Sequence, residues 1–280
     1  MQRRIPPDYH LHTRYCGHAA GSVDGMVQAA IRKGMTEIGF AEHFPYPPEF
    51  RIDVPDCVVP SGMWDGYLAE VREAGVRYRD RIRIRLGAEI DYLPGHESYT
   101  AAGLAKHAYD VVFGSVHLLD GIVIDYDADY LEARIDALGG TAGLWRRYWD
   151  TLEALIRSRL CDVIAHLDLP KKLGLGFPGS VDWERVADIL DRIREHNLTI
   201  ELNTGGVDRA VMHEPYPDDR ILRMAFEKGI DVVIGSDAHH PGQIARHFED
   251  ALQRLESIGW RYLSVFQGRK KSCLPISHLR

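Results

Sequence analysis

Seven short runs rich in β-forming residues recur along this chain, each followed by a stretch with helical spacing. They are PDYHLHT (residues 7–13), EIGFAEH (37–43), IRIRLGAEI (82–90), DVVFGSVH (110–117), DVIAHLD (162–168), LTIELNT (198–204) and DVVIGSD (231–237). Several are continuously apolar rather than alternating, the pattern of parallel strands buried on both faces. Strand followed by helix, about seven times over, predicts an α/β barrel rather than a sandwich. The segments between fit. SVDGMVQAAIRKG (22–34) opens on Ser22 as an N-cap and closes on Gly34 as a C′ residue. GSVDWERVADILDRIREHN (179–197) places Val186, Ile189, Leu190 and Ile193 on one face. Residues 143–160 and 242–259 also read as amphipathic helices, the proline-rich stretch from Tyr46 to Gly62 as a loop, and WRYLSVF (260–266) as a last strand. A chain of 280 residues is long enough for this to be one domain over residues 1–280.

The polar residues fall at the ends of these runs. His10 and His12 end the first, His43 the second, and Glu89 lies near the end of the third. His117 and His166 end or nearly end the fourth and fifth, and Asp237 the seventh. In a parallel barrel all of these ends meet at one rim, where active sites are built. His10 and His12 are two apart and share a strand face, so both imidazoles can reach one ion. Asp237 and His239 repeat that spacing. Taken singly, each has a plain reading: a polar strand edge, a solvated loop histidine at His18, a satisfied core histidine at His43. Glu89 stands inside a β-rich run, where a carboxylate is rare unless paired or bound to a cation, and Asp91 on the same face competes for that role. Seven histidines, one glutamate and one aspartate at one rim exceed the needs of a single tetrahedral ion. They suit two or three divalent ions with bridging carboxylates, and imidazole-rich sites take zinc, iron or manganese. Such a centre activates water and clamps phosphoryl oxygens, which predicts a small phosphorylated substrate.

The remaining composition narrows the class. A net charge of −7 argues against nucleic acid as a partner and against a membrane-surface anchor. No run approaches the roughly 18 apolar residues of a membrane span. Cys16, Cys57, Cys161 and Cys273 are scattered and form no CxxC pair, which predicts reduced thiols in a cytoplasmic protein. For the phosphate, Arg209 after the sixth run is the first candidate. Lys171 or Lys172 after His166 is the next, and Arg14 on the first rim loop follows. His240 is either an acid for the leaving alcohol or a solvated turn residue before Pro241.

The motif set resembles the polymerase-and-histidinol-phosphatase (PHP) superfamily of metal-dependent phosphoesterases. It comprises HxH at His10 and His12, His18 downstream, EH at Glu42 and His43, Glu89, GSVH at His117, AHLD at His166, and SDAH at Asp237 and His239. The order matches from one end of the chain to the other. The resemblance implies a distorted seven-stranded α/β barrel of the TIM-like kind and a trinuclear centre. Its ligand sets would be His10, His12, Glu89 and Asp237; Glu89, His117 and His166; and His18, His43 and His239. Stretches such as DYHLHTRYCGHAAGS, GAEIDYLPG and HLDLPKKLG resemble the histidinol-phosphatase branch. They imply hydrolysis of L-histidinol phosphate in histidine biosynthesis, by water activated between two ions; the alternative within the same superfamily is another small phosphomonoester or a nucleotide or oligonucleotide phosphodiester. Glu89, Asp237, Arg209 and His240 are the expected catalytic groups. One departure is Glu42, where relatives often carry Asp before the histidine.

Overall fold

The computed structural model describes residues 4–55, 57–175 and 182–279. Its strands, in chain order, are β1 (Glu37–His43), β2 (Arg83–Asp91), β3 (Val111–Ser115), β4 (Leu118–Leu119), β5 (Ile122–Val123), β6 (Val163–Ile164), β7 (Thr199–Asn203), β8 (Asp231–Gly235), β9 (Tyr262–Gln267) and β10 (Lys270–Pro275). Six of them form one parallel sheet in the order β1-β2-β3-β6-β7-β8. Helices link them, as parallel neighbours require. The expected last strand exists as β9, but it pairs antiparallel with β10 in a separate hairpin.

The first predicted strand is not a regular strand. Residues 8–13 touch both edges of the sheet through isolated bridges, Asp8 to Ile38 on one side and Leu11 to Ala238 on the other. Gly39 and Ala41 donate to the carbonyls of Asp8 and Leu11, and His12 donates to that of Ala238 at 2.9 Å. The ladder is broken because side-chain carboxylates take backbone donors that a neighbouring strand would otherwise satisfy. Asp8 accepts the N–H groups of Ser236 and Ala245, and Glu42 accepts that of Thr13. The fifth run is likewise cut to two residues, because the His166 N–H goes to the Glu201 carboxylate instead of a carbonyl.

The helix Val23–Arg32 is capped by the Ser22 hydroxyl, which accepts from the Gly25 N–H, and Gly34 follows at φ 81°. That left-handed angle is one that glycine adopts without a Cβ clash. In the helix Trp183–Glu195 the four predicted apolar residues are all buried; positions 179–181 of that motif lie outside the described residues. Of residues 143–160, all but the last two fall in the helix Gly140–Ser158, and Arg159 beyond its end takes φ 57°. The last predicted helix starts late, at Phe248. Residues Pro241–Gln243 form a 3-10 turn, and Ala245 and His247 take φ near +50°. Arg246 is turned inward onto the Ser236 carbonyl.

Two cores result. The helices pack on the outer face of the sheet in one large apolar cluster. A smaller one fills the curl from within: Tyr9, Ala41, Val111, Phe113, Val163, Ala165, Val233 and Phe266, the last contributed by the β9–β10 hairpin. Below it Glu37 accepts hydrogen bonds from Tyr9 (2.6 Å), Arg83 (2.6 Å) and Arg85 (2.9 Å). Burial raises the Glu37 carboxyl, but the bonds from Arg85, Tyr9 and Arg83 outweigh burial and hold it below its ordinary value. A carboxyl depressed on folding stabilises above its unfolded value, near about 4.3, and the contribution is lost as pH falls through the folded value. Glu37→Gln is therefore expected to lose about 2 kcal/mol at pH 7. The gap to the parent protein should close below about pH 4, checked by denaturant melts across pH.

Candidate metal centre

The predicted rim forms. His43 ends β1, and Glu89 and Asp91 close β2. His117, His166 and Asp237 each lie two residues beyond β3, β6 and β8. The bridging segment 8–13 adds His10 and His12. His166 and Asp237 hold left-handed backbone, φ 24° and 49°. Such angles cost on the order of 1 kcal/mol in a residue with a Cβ and persist where neighbours enforce them. For His166 the enforcing contact is its N–H bond to Glu201, and for Asp237 it is Arg209 on its carboxylate.

Glu89 is the hub. Its Oε2 lies 3.3 Å from His10 Nε2, 3.5 Å from His12 Nε2 and 3.1 Å from His43 Nδ1. Its Oε1 lies 3.0 Å from His166 Nε2 and 3.8 Å from His117 Nε2. The two oxygens thus face two different groups of imidazoles. Asp91 instead meets one imidazole, His117, at its Nδ1, and also accepts from Tyr46 and Ser115. Asp237 stands 3.3 Å from His12 Nε2 and 3.5 Å from His239 Nδ1. His18 Nε2 reaches His239 Nε2 at 2.9 Å, with its Nδ1 on the Cys16 carbonyl.

Burial raises the carboxyls of Glu89 and Asp237. Charge on His10 for the first, and on Arg209 and His10 for the second, holds both well below the ordinary range. Burial, with His12 and His18 adding to it, pushes His43 and His239 well down, so both rings favour the neutral form that coordinates. Burial opposes protonation of His10, but Glu201, Glu89 and Asp237 raise it well above normal. His117 is pushed up to about 10, because Asp91 and Asp125 overcome its burial. A divalent cation at these positions would take the proton's place.

The donor set fits such cations. His10 Nε2 and both ring nitrogens of His12 are buried without a hydrogen-bond partner. Buried polar atoms without partners are rare and call for an explanation, and an ion is one. Among the described residues, groups able to converge on one ion include His10, His12 and Asp237; His12, His43 and His239; and Cys16, His18 and His239.

A cavity of about 110 Å³ opens over the cluster, lined in part by His18, Glu89, His166, Arg209, Tyr216 and Asp237. A second, of about 390 Å³, shares His18, His43, His117, Asp125 and Lys172 with it and extends past Tyr46 and Tyr126. Arg209 reaches the cavity with one guanidinium nitrogen on Asp237 and another 3.3 Å from His239 Nδ1. Of the two lysines, Lys172 lines both cavities, paired to Asp125 at 2.7 Å. Lys171 is buried and turned to Asp168 and the Pro215 carbonyl. The structure does not bring Arg14 or His240 to the cluster. Arg14 is exposed and meets Glu70 at 3.4 Å, because its loop turns outward. The His240 ring accepts from the Gly242 N–H and caps the 3-10 turn.

Sequence reasoning passed over Glu201, which is fully buried against His10 and His166. The signal was present: a carboxylate inside the apolar run LTIELNT, the feature that singled out Glu89. Asp125 sits in an irregular loop, and no pattern marks it.

Comparison with known proteins agrees with this arrangement. Residues 8–205 match the family model described as PHP domain. A relative from Deinococcus radiodurans named "Probable histidinol-phosphatase" is 36% identical over 263 residues, covering 94% of this chain and 97% of its own. The histidinol-phosphatase of Bacillus subtilis is 30% identical over 272 residues, covering 91% and 100%. Among solved structures, the hisK protein of Listeria monocytogenes has a TM-score of 0.80 at 25% identity, over 87% of this chain and 99% of that one. Histidinol phosphate phosphatase of Lactococcus lactis, solved with zinc, L-histidinol and phosphate, has a TM-score of 0.74 at 18% identity, over 95% and 98%. The barrel, the histidine rim and these matches together place the chain in the PHP-domain family.

Proposed function

We propose that this protein is a metal-dependent phosphomonoester hydrolase that converts L-histidinol phosphate to L-histidinol and phosphate. The observation that carries the reading is Glu89, a single carboxylate whose two oxygens face separate sets of imidazoles beside a cavity with Arg209 and Lys172. The names of the relatives at 36% and 30% identity support the substrate.

In this reading His10, His12, Glu89 and Asp237 would hold one divalent ion. Glu89, His117 and His166 would hold a second, and His18, His43 and His239 a third. Bound there, the ions would lower the pKa of water and take up charge on phosphoryl oxygens. The chain's own cations do the rest of the binding. Arg209, kept in place by Asp237, presents its guanidinium to the phosphate, where a fork of N–H groups matches phosphoryl oxygens. Lys172 adds a point charge in the same cavity, and the larger cavity has room for the organic part of the substrate. Burial of the hub carboxylates excludes water from behind the ligands and strengthens each of these contacts.

The test is steady-state phosphate release from metal-replete protein with L-histidinol phosphate and a panel of other phosphomonoesters and diesters. A kcat/KM for histidinol phosphate at least tenfold above the rest is expected. Equal turnover across the panel would leave a phosphoesterase whose substrate lies elsewhere.

A further inference from the structure

Behind His10 the inner face of the sheet holds a carboxylate that no ligand set includes. Glu201 on β7 is fully buried, with Oε1 2.7 Å from His10 Nδ1. Its Oε2 accepts the His166 N–H at 3.1 Å and the Asn203 side-chain N–H at 2.9 Å. Since a carboxylate only accepts, the neutral form of His10 must carry its proton on Nδ1, which leaves Nε2 as the lone pair open to a cation. That Nε2 is the buried, unpartnered atom that faces Glu89. The other Glu201 oxygen holds the left-handed backbone of His166, which meets Glu89 on its opposite oxygen. One carboxylate therefore sets a histidine on each side of the hub.

The space for it comes from the neighbouring strand. Gly235 on β8 has no Cβ; one built there would stand 1.9 Å from Glu201 Oε1 and 3.1 Å from His10 Cβ. Gly235 is absent from the positive-φ residues, so the need at this position is room, not conformational freedom. Any side chain at 235 must push the carboxylate off His10, and the fully buried surroundings offer it nowhere to go.

We infer that Glu201 is a positioning residue of the metal centre, fixing the tautomer of His10 and the backbone of His166, and that Gly235 is the gap that seats it. The inference rests on the reading that the rim holds ions. Carboxylates behind ligating histidines orient the ring and raise its basicity, and their loss typically weakens metal binding about 10- to 100-fold.

The experiment is equilibrium titration of chelator-stripped protein with Zn²⁺ against a chromophoric competitor, with bound metal counted by mass spectrometry. Glu201→Gln, Glu201→Ala, Gly235→Ala and the Gly235→Ala/Glu201→Ala double variant are compared with the parent. Thermal melts with excess Zn²⁺ confirm that each folds. Glu201→Ala and Gly235→Ala should each weaken the tightest site by about 10- to 100-fold. The double variant should be close to Glu201→Ala alone, since without the carboxylate the 1.9 Å clash is gone and only the 3.1 Å approach to His10 Cβ remains. Glu201→Gln should fall between parent and alanine, keeping an acceptor but not the charge. Parent protein that binds no Zn²⁺ would remove the metal reading itself. Parent that binds while the single variants match it, or losses that add in the double variant, would overturn the role of Glu201 and Gly235.

Discussion

Glu89→Gln is expected to lower kcat/KM for phosphate release at least about a thousandfold, which is roughly 4 kcal/mol of transition-state stabilisation. The size follows from the contacts. Oε2 faces His10, His12 and His43, and Oε1 faces His117 and His166. A glutamine can offer an oxygen to one group only and turns an N–H₂ toward the other. Whichever way the amide lies, one set of imidazoles loses its anionic partner, and a cation there loses a charge-balancing ligand. Bound metal should fall together with turnover, and both are read on the same preparation by elemental analysis and steady-state kinetics. Full metal content with near-parent kcat/KM would remove Glu89 from the centre.

Stripping the protein with a chelator is expected to abolish turnover and to lower Tm by about 5–10 °C. An ion that binds only the folded rim stabilises it by about 4 kcal/mol when present at a thousandfold over its Kd. For 280 residues the entropy of unfolding is about 0.6 kcal/mol per degree, which gives a shift of about 7 °C. The gap should widen with pH. In stripped protein His117, pushed up to about 10, contributes stability that is complete below its unfolded value near about 6.5 and is lost as pH rises toward 10. Ion binding is favoured over the same interval, because the ligands must be deprotonated. Scanning calorimetry at several pH values, with and without chelator, reads both effects. Indifference of Tm and turnover to the chelator would mean that the cluster holds no ion.

Much of this rim was legible because its residues obey strand periodicity. The i, i+2 spacing of His10 and His12 follows from chain geometry, and a carboxylate in an apolar run follows from the cost of buried charge. The regular strands β1, β2, β7 and β8 lie within the runs that predicted them or within one residue of them. Periodicity is silent where side chains replace backbone partners. Asp8 and Glu42 break the ladder at the first run, and Glu201 does so at the fifth, so those two were predicted as longer strands than they are. Direction in loops was equally hidden. Arg14 and His240 lie close in sequence to ligands yet turn to Glu70 and Gly242, while Asp125, in a loop without pattern, turns inward to Lys172. The choice between Lys171 and Lys172 needed the fold, because both sit in a 3-10 turn that points adjacent residues in different directions.

The stitching of residues 8–13 between β1 and the end of β8 has a consequence for the order of events during synthesis. Asp8 and Ser236 bond across 228 positions of chain, and His12 is anchored by Ala238. A nascent chain presents its first histidines early, but the edge that fixes them arrives with almost the last strand. Closure of so distant a contact comes late, since the loop entropy must be overcome before the contact rewards it. Until then His10 and His12 lack Asp237, and the proposed ligand set that contains them is incomplete. Ion capture at that position would thus report completion of the ring, and a partly made chain would offer passing metals only isolated imidazoles.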